Sequence, residues 1–198
     1  MKKLVIAPHA DDEVLGCSSI LDDDTYVLYL GVNEFHVVDK EHRLREVEKV
    51  SILYGFNYSY LDNTVDEYCF KKILDLIQET INSVKPDEIY IPYPSYNQDH
   101  KTAYKASFTA LRIHDKNHFV KKVFVYEQVH LNLWDEHFFK PNYFRYLNIE
   151  LKKKGYMLHT SQIRGHRSFK MVDQLARLRG DQSMQEYAEG FKILRWVD

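Results

Sequence analysis

The chain has 198 residues, with 27 Lys and Arg against 29 Asp and Glu, for a formal net charge of -2. That length fits a single domain over residues 1–198, and a balanced charge without a basic tract excludes the electrostatic footprint of a nucleic-acid or anionic-membrane binder. No stretch approaches the ~20 apolar residues of a membrane span, and two cysteines, Cys17 and Cys69, with no Cys-x-x-Cys, exclude a disulfide scaffold.

Residues 2–7 read as a buried strand. Lys2 and Lys3 precede an apolar run too short for a secretion signal and cut by Pro8, so a cytoplasmic location is expected. The run ends in Pro8-His9-Ala10-Asp11-Asp12-Glu13, and residues 13–21 then read as a helix. A strand thus delivers His9, Asp11 and Asp12 to its carboxyl end, the rim where open parallel sheets bind ligands. Imidazole and carboxylate suit zinc and similar divalent ions. A further acid beside a metal-activated water is a natural general base.

Residues 25–30 are rich in β-formers and read as a second strand. Residues 40–54 have Leu44, Val47, Val50 and Leu53 at helical spacing, with Gly55 at a C-cap position. Arg43 and Glu46 lie three apart there, the spacing of an exposed ion pair. Residues 58–61 suggest a short edge strand and residues 67–83 an amphipathic helix with Ile73, Leu74, Ile77 and Ile81 inward. Residues 88–93 are the next strand. This alternation predicts an α/β fold, a Rossmann-like doubly wound and mainly parallel sheet flanked by helices. There is no Gly-x-Gly-x-x-Gly after the first strand, so nothing suggests NAD.

A second cluster, Asn97-Gln98-Asp99-His100, follows that strand and leads into a helix at 101–113. Two parallel strands open on one rim, so His100 is the natural third ligand beside the first cluster. Asp99 is placed to orient a ligand or the base. His114 and His118 are four apart, but Asp115, Lys116 and Asn117 between them mark a solvated helix end. Residues 120–126 read as a fifth strand, residues 139–144 as the start of a loop and residues 146–158 as a helix. No mechanism follows from His159-Thr160-Ser161-Gln162 or from the stretch between Leu178 and Phe191, where packing and helix capping are expected.

The two strand-end motifs resemble the PHxDDE and H-x-D-H signatures of the PIG-L/LmbE-like metal-dependent deacetylases, and supporting patterns extend the resemblance over nearly the whole chain, toward a branch associated with glycan and antibiotic pathways. The resemblance implies that His9, Asp12 and His100 bind a metal, most often zinc, and that Asp11 is the base. It implies hydrolysis of an acetyl group from a small-molecule N-acetylated amino sugar or its conjugate. Arg43 and Glu46 resemble the family's R-x-x-E, which implies a substrate contact for Arg43. Asn97 stands where the family has a histidine; it can donate a hydrogen bond to an oxyanion but cannot titrate. The rival readings are an amidase acting on a sugar–thiol conjugate and a catalytically impaired metal-dependent sugar-binding protein.

Overall fold

The computed structural model describes residues 1–34, 36–114, 116–129 and 138–198. Seven strands form one sheet: β1 (Lys3–Ala7), β2 (Thr25–Tyr29), β3 (Asn57–Tyr60), β4 (Glu88–Pro92), β5 (Lys122–Tyr126), β6 (Tyr143–Tyr146) and β7 (Ala188–Trp196). The order is β3-β2-β1-β4-β5-β7-β6. The first five are mutually parallel, as expected, whereas β7 runs antiparallel to both β5 and β6. The direction of winding reverses between β1 and β4, and a crevice opens there at the carboxyl ends of the strands.

Each face of the sheet is covered, which is why β1 reads as an unbroken apolar run. Leu4 and Ile6 point to the side of α3 (Phe70–Val84) and α4 (Gln98–Ala110), where Ile73, Ile77 and Ile81 of α3 meet them at four-residue spacing. Val5 and Ala7 point to the opposite side. There they join the buried positions of α1 (Asp12–Cys17), α2 (Lys40–Tyr54), α5 (Ile149–Leu158) and α6 (Phe169–Asp181). Helix α2 begins at Asp39, whose side chain accepts from the His42 amide, and ends at Gly55 with φ 87°, a conformation that favours glycine.

The predicted elements hold in type, with shifted ends. The helix expected over 13–21 is α1 followed by a 3₁₀ turn at Ser18–Ile20. The loop expected to start at 139–144 already contains β6, and no strand was expected at β7. Strand β6 depends on β7, through which alone it meets the sheet, whereas β7 is also paired along β5.

The C-terminal motifs turn out to be fastenings. Arg179 reaches Glu127, just past β5, through a buried two-pronged pair with both contacts at 2.6 Å. Glu189 of β7 accepts from the amides of Ser18 and Ser19 and from the Lys152 ammonium, tying the end of α1 to β7. A Cβ at Gly180 would stand 2.6 Å from the carbonyl oxygens of Gln185 and Glu186, so the turn closes only on glycine. The His118 amide donates to Asn82, and its ring donates to the Pro86 carbonyl. Asp115, part of the reading of that stretch as a solvated helix end, lies outside the described residues. Among the described residues, no helix is long and apolar enough to cross a membrane.

Candidate metal centre and active site

Both predicted clusters stand at the switch point, one after β1 and one after β4. His9, Asp12 and His100 each offer a donor atom, and the three donors lie within 4.8 Å of one another. Asp12 Oδ2 is 3.6 Å from His9 Nδ1 and 3.5 Å from His100 Nε2. Donors about 2.0–2.2 Å from a tetrahedral ion are separated by about 3.4 Å, so this spacing fits a zinc-like ion with little movement. Asp12 and His100 are buried, and His9 is nearly so.

Asp99 sets which histidine nitrogen is available. Its Oδ2 lies 2.9 Å from His9 Nε2 and also accepts from the Asp66 amide. A carboxylate there makes Nε2 the donor, which leaves the lone pair on Nδ1, facing Asp12. Asn97 is the N-cap of α4, where its Oδ1 accepts from the amides of Asp99 and His100. One half of the side chain thus fixes the backbone of two site residues. The Nδ2 half remains for donation, and Asn97 lines the cavity over the cluster.

Asp11 and Asp12 diverge, as neighbours at a turn do. Asp12 joins the two histidines, whereas Asp11 Oδ2 receives Arg167 Nη1 at 2.7 Å. Asp11 is 0% exposed, and its Oδ1 has no hydrogen-bond partner. Its backbone sits at φ 149°, a region that costs a non-glycine residue about 1–3 kcal/mol. Asp11 does not itself line the cavity of about 220 Å³ above the cluster; Arg167, which clasps it, does.

Burial governs the electrostatics. It pushes Asp12 up to about 6, against the opposing pull of His9. It pushes Asp11 up as well, although Arg167 opposes it. Burial and the neighbouring His9 hold His100 well below the ordinary histidine value. Burial also pulls His9 down, but the Asp99 hydrogen bond and the charges of Asp12 and Asp99 outweigh it and leave the ring raised. Three buried carboxylates around two imidazoles suit a bound cation.

Arg43 stands behind the cavity wall: it is 0% exposed and, like Asp11, is not among the residues that line the cavity. Its guanidinium pairs with Glu34 and points toward the Ala10 carbonyl. The alternative pairing with Glu46 is not formed: Glu46 accepts from Thr160 and Ser161. Glu34 is the cavity residue of this set, and Gln162 and Arg164 hold it from the other side. Burial alone would raise Glu34, but the Arg43 hydrogen bond and charge hold it below the usual carboxylate range.

Sequence reasoning missed Glu34, Gln162, Arg164 and Arg167 as cavity residues. It singled out Gln162 within its motif, and the structure supplies the reason: Gln162 bridges Glu34 and Arg167. Arg167 carries no local signal, because its partner Asp11 is 156 positions away.

Residues 4–111 match the PIG-L family, described as GlcNAc-PI de-N-acetylase. No curated protein matches the sequence. A conserved protein of Thermus thermophilus superposes with TM-score 0.81 at 22% identity, covering 100% of this chain and 96% of that one. The N,N′-diacetylchitobiose deacetylase of Pyrococcus horikoshii gives 0.78 at 21% identity, over 98% of this chain and 84% of that one. The 4-carboxy-2-hydroxymuconate hydratase of Pseudomonas putida gives 0.76 at 16% identity, over 100% and 99%. Similarity at this level speaks to fold, and a hydratase on the same scaffold shows that the fold alone does not choose the reaction. The family match over residues 4–111 takes in both strand-end clusters, and on that ground the chain belongs to the PIG-L, GlcNAc-PI de-N-acetylase family.

Proposed function

We propose that this protein is a divalent-metal-dependent N-deacetylase, with zinc the candidate ion, that removes the acetyl group from an N-acetylated amino sugar or its conjugate. The observation that carries this reading is the convergence of His9, Asp12 and His100 under one cavity, with Asp99 setting the His9 tautomer. Family membership supports the acetamido substrate. We also read residues 1–198 as a single domain, in keeping with one continuous sheet. Two cysteines without a disulfide agree with a reducing, cytoplasmic setting.

The ion would be held by His9 Nδ1, Asp12 Oδ2 and His100 Nε2. When bound, it supplies Lewis acidity toward a water and the amide carbonyl. Asp11 takes the proton from the attacking water at Oδ1, the oxygen that Arg167 leaves open, and returns it to the leaving nitrogen. Asn97 donates from Nδ2 to the carbonyl oxygen as its charge grows. Water adds to the carbonyl carbon, the C–N bond breaks, and acetate and a free amine leave. Arg43 acts from behind, holding Glu34 ionised at the cavity wall.

The test is metal analysis combined with a screen of metal-loaded protein. N-acetylglucosamine, N,N′-diacetylchitobiose and N-acetylglucosaminyl conjugates would be assayed for primary-amine and acetate release. Near-stoichiometric divalent metal and equimolar acetate and amine are expected. Binding of these sugars without release would overturn the reading in favour of a binding protein, and amine release with a different acid would redirect it to another amide.

A further inference from the structure

We propose that His159, acting through Glu13, is a positioning residue that holds Asp11 in its strained conformation; the inference rests on the reading of Asp11 as the base. Asp11 precedes the first turn of α1, and its own side chain makes no capping bond. Its amide donates to Glu13 Oε2 at 3.1 Å. The other oxygen of Glu13 lies 2.6 Å from His159 Nε2. A carboxylate only accepts, so the imidazole donates. Both side chains are 0% exposed.

Three observations separate this pair from ordinary packing. First, a buried polar pair is a weak source of stability compared with apolar side chains of the same size, so its presence points to another task. Here the task is visible: Glu13 bonds back to the amide of the residue at φ 149°. An outlier of this kind persists only where surrounding contacts fix it. Second, His159 is anchored. Its amide donates to the Tyr156 carbonyl, its carbonyl accepts from the Gln162 amide, and the adjacent Thr160 and Ser161 bind Glu46 of α2 through three bonds of 2.7–2.8 Å. Third, His159 does not line the cavity, so it acts on the reaction only through what it holds. It also lies beyond residues 4–111, outside the portion that matches the family. The chain therefore brings a post from its C-terminal third to fix a residue of its N-terminal motif.

The test is the crystal structure and metal content of the full chain carrying His159→Phe, which keeps a ring and loses the donor, and His159→Gln, which keeps an amide nitrogen near Nε2. In His159→Phe, Glu13 should release the Asp11 amide and Asp11 should leave φ near 149°, with metal stoichiometry unchanged. In His159→Gln both features should persist. Should the phenylalanine variant fail to fold, His159→Asn, too short to span to Glu13, carries the same readings. An unchanged Glu13–Asp11 bond and φ in a variant without the donor would overturn the proposal. Turnover of the screened acetamido sugar supplies the second reading. His159→Phe should lower kcat at least tenfold with KM little changed, and should lower it no further in an Asp11→Asn background. Additive losses would overturn the coupling. If Asp11→Asn alone left kcat intact while the structural shift appeared, the positioning would stand and the assignment of Asp11 as base would fall.

Discussion

After β4 the chain enters α4 through Asn97, whose side chain satisfies two first-turn amides, its neighbours Asp99 and His100. After β1 it enters α1 through Asp11, which makes no side-chain cap and sits at φ 149°. The second entrance is a local motif that closes within four residues. The first is held from afar: Tyr68 donates to the Pro8 carbonyl, Arg167 clasps Asp11, and His159 props Glu13. A side chain used as a cap is committed to the backbone. Distant support at α1 leaves the Asp11 carboxylate to Arg167, while Asp12 Oδ2 accepts from the His9 amide and faces the two histidine rings.

The largest expected effect tests that division within the first entrance. Asp11→Asn should lower kcat by about 10²–10⁴, the usual range for a general base, with metal still bound. Metal loss with modest change in turnover would instead exchange the roles of Asp11 and Asp12. At the second entrance, Asn97 has two separable halves. Asn97→Ser keeps a capping oxygen and lacks the amide donor, so stability should stay near wild type while kcat falls by about 10²–10³. Asn97→Ala should add a loss of about 1 kcal/mol in denaturant unfolding. Wild-type turnover in the serine variant would leave capping as the only role.

Arg43→Met should cost about 3 kcal/mol of stability, near the lower end for breaking a buried pair, because Glu34 keeps Gln162 and Arg164. Chemical denaturation measures it, and unchanged stability with a raised KM would favour a substrate contact for Arg43 over the structural pair. The smallest effect concerns the distant support itself. Burial would raise Glu46, but its hydrogen bonds from Ser161 and Thr160 leave it lowered. A depressed carboxyl contributes stability that is present above its unfolded value, about 4.3, and lost as pH falls through the folded value. Calorimetry should therefore show a melting temperature that drops below about pH 4, with a shallower drop in Glu46→Gln.

The strand-end clusters were legible because each is contiguous: a few residues carry a strand end, ligand chemistry and a helix start together. The parallel order from β1 to β5 followed from alternating periodicities, and Gly55 announced its helix end by residue type. Arg43 misled because spacing of three within a helix suggests Glu46, whereas its partner Glu34 lies in the loop before the helix. His159 and Arg167 looked inert because their partners, Glu13 and Asp11, are 146 and 156 positions away. Strand β7 was missed for the same reason: what makes Ala188–Trp196 a strand is the pair of edges it joins.

The position of β7 also has a consequence for how the chain is made. It lies second from one edge of the sheet, paired on both sides, and Glu189 within it fastens Ser18 and Ser19 at the far end of the sequence. During synthesis, β2 to β5 each emerge after a strand with which they pair, but β6 must wait. The ribosome has to deliver residues 188–196 before β6 has a neighbour and before the end of α1 has its carboxylate. Translation arrested short of residue 188 therefore leaves a five-stranded parallel core with its β5 edge open, the kind of unpaired strand that invites aggregation.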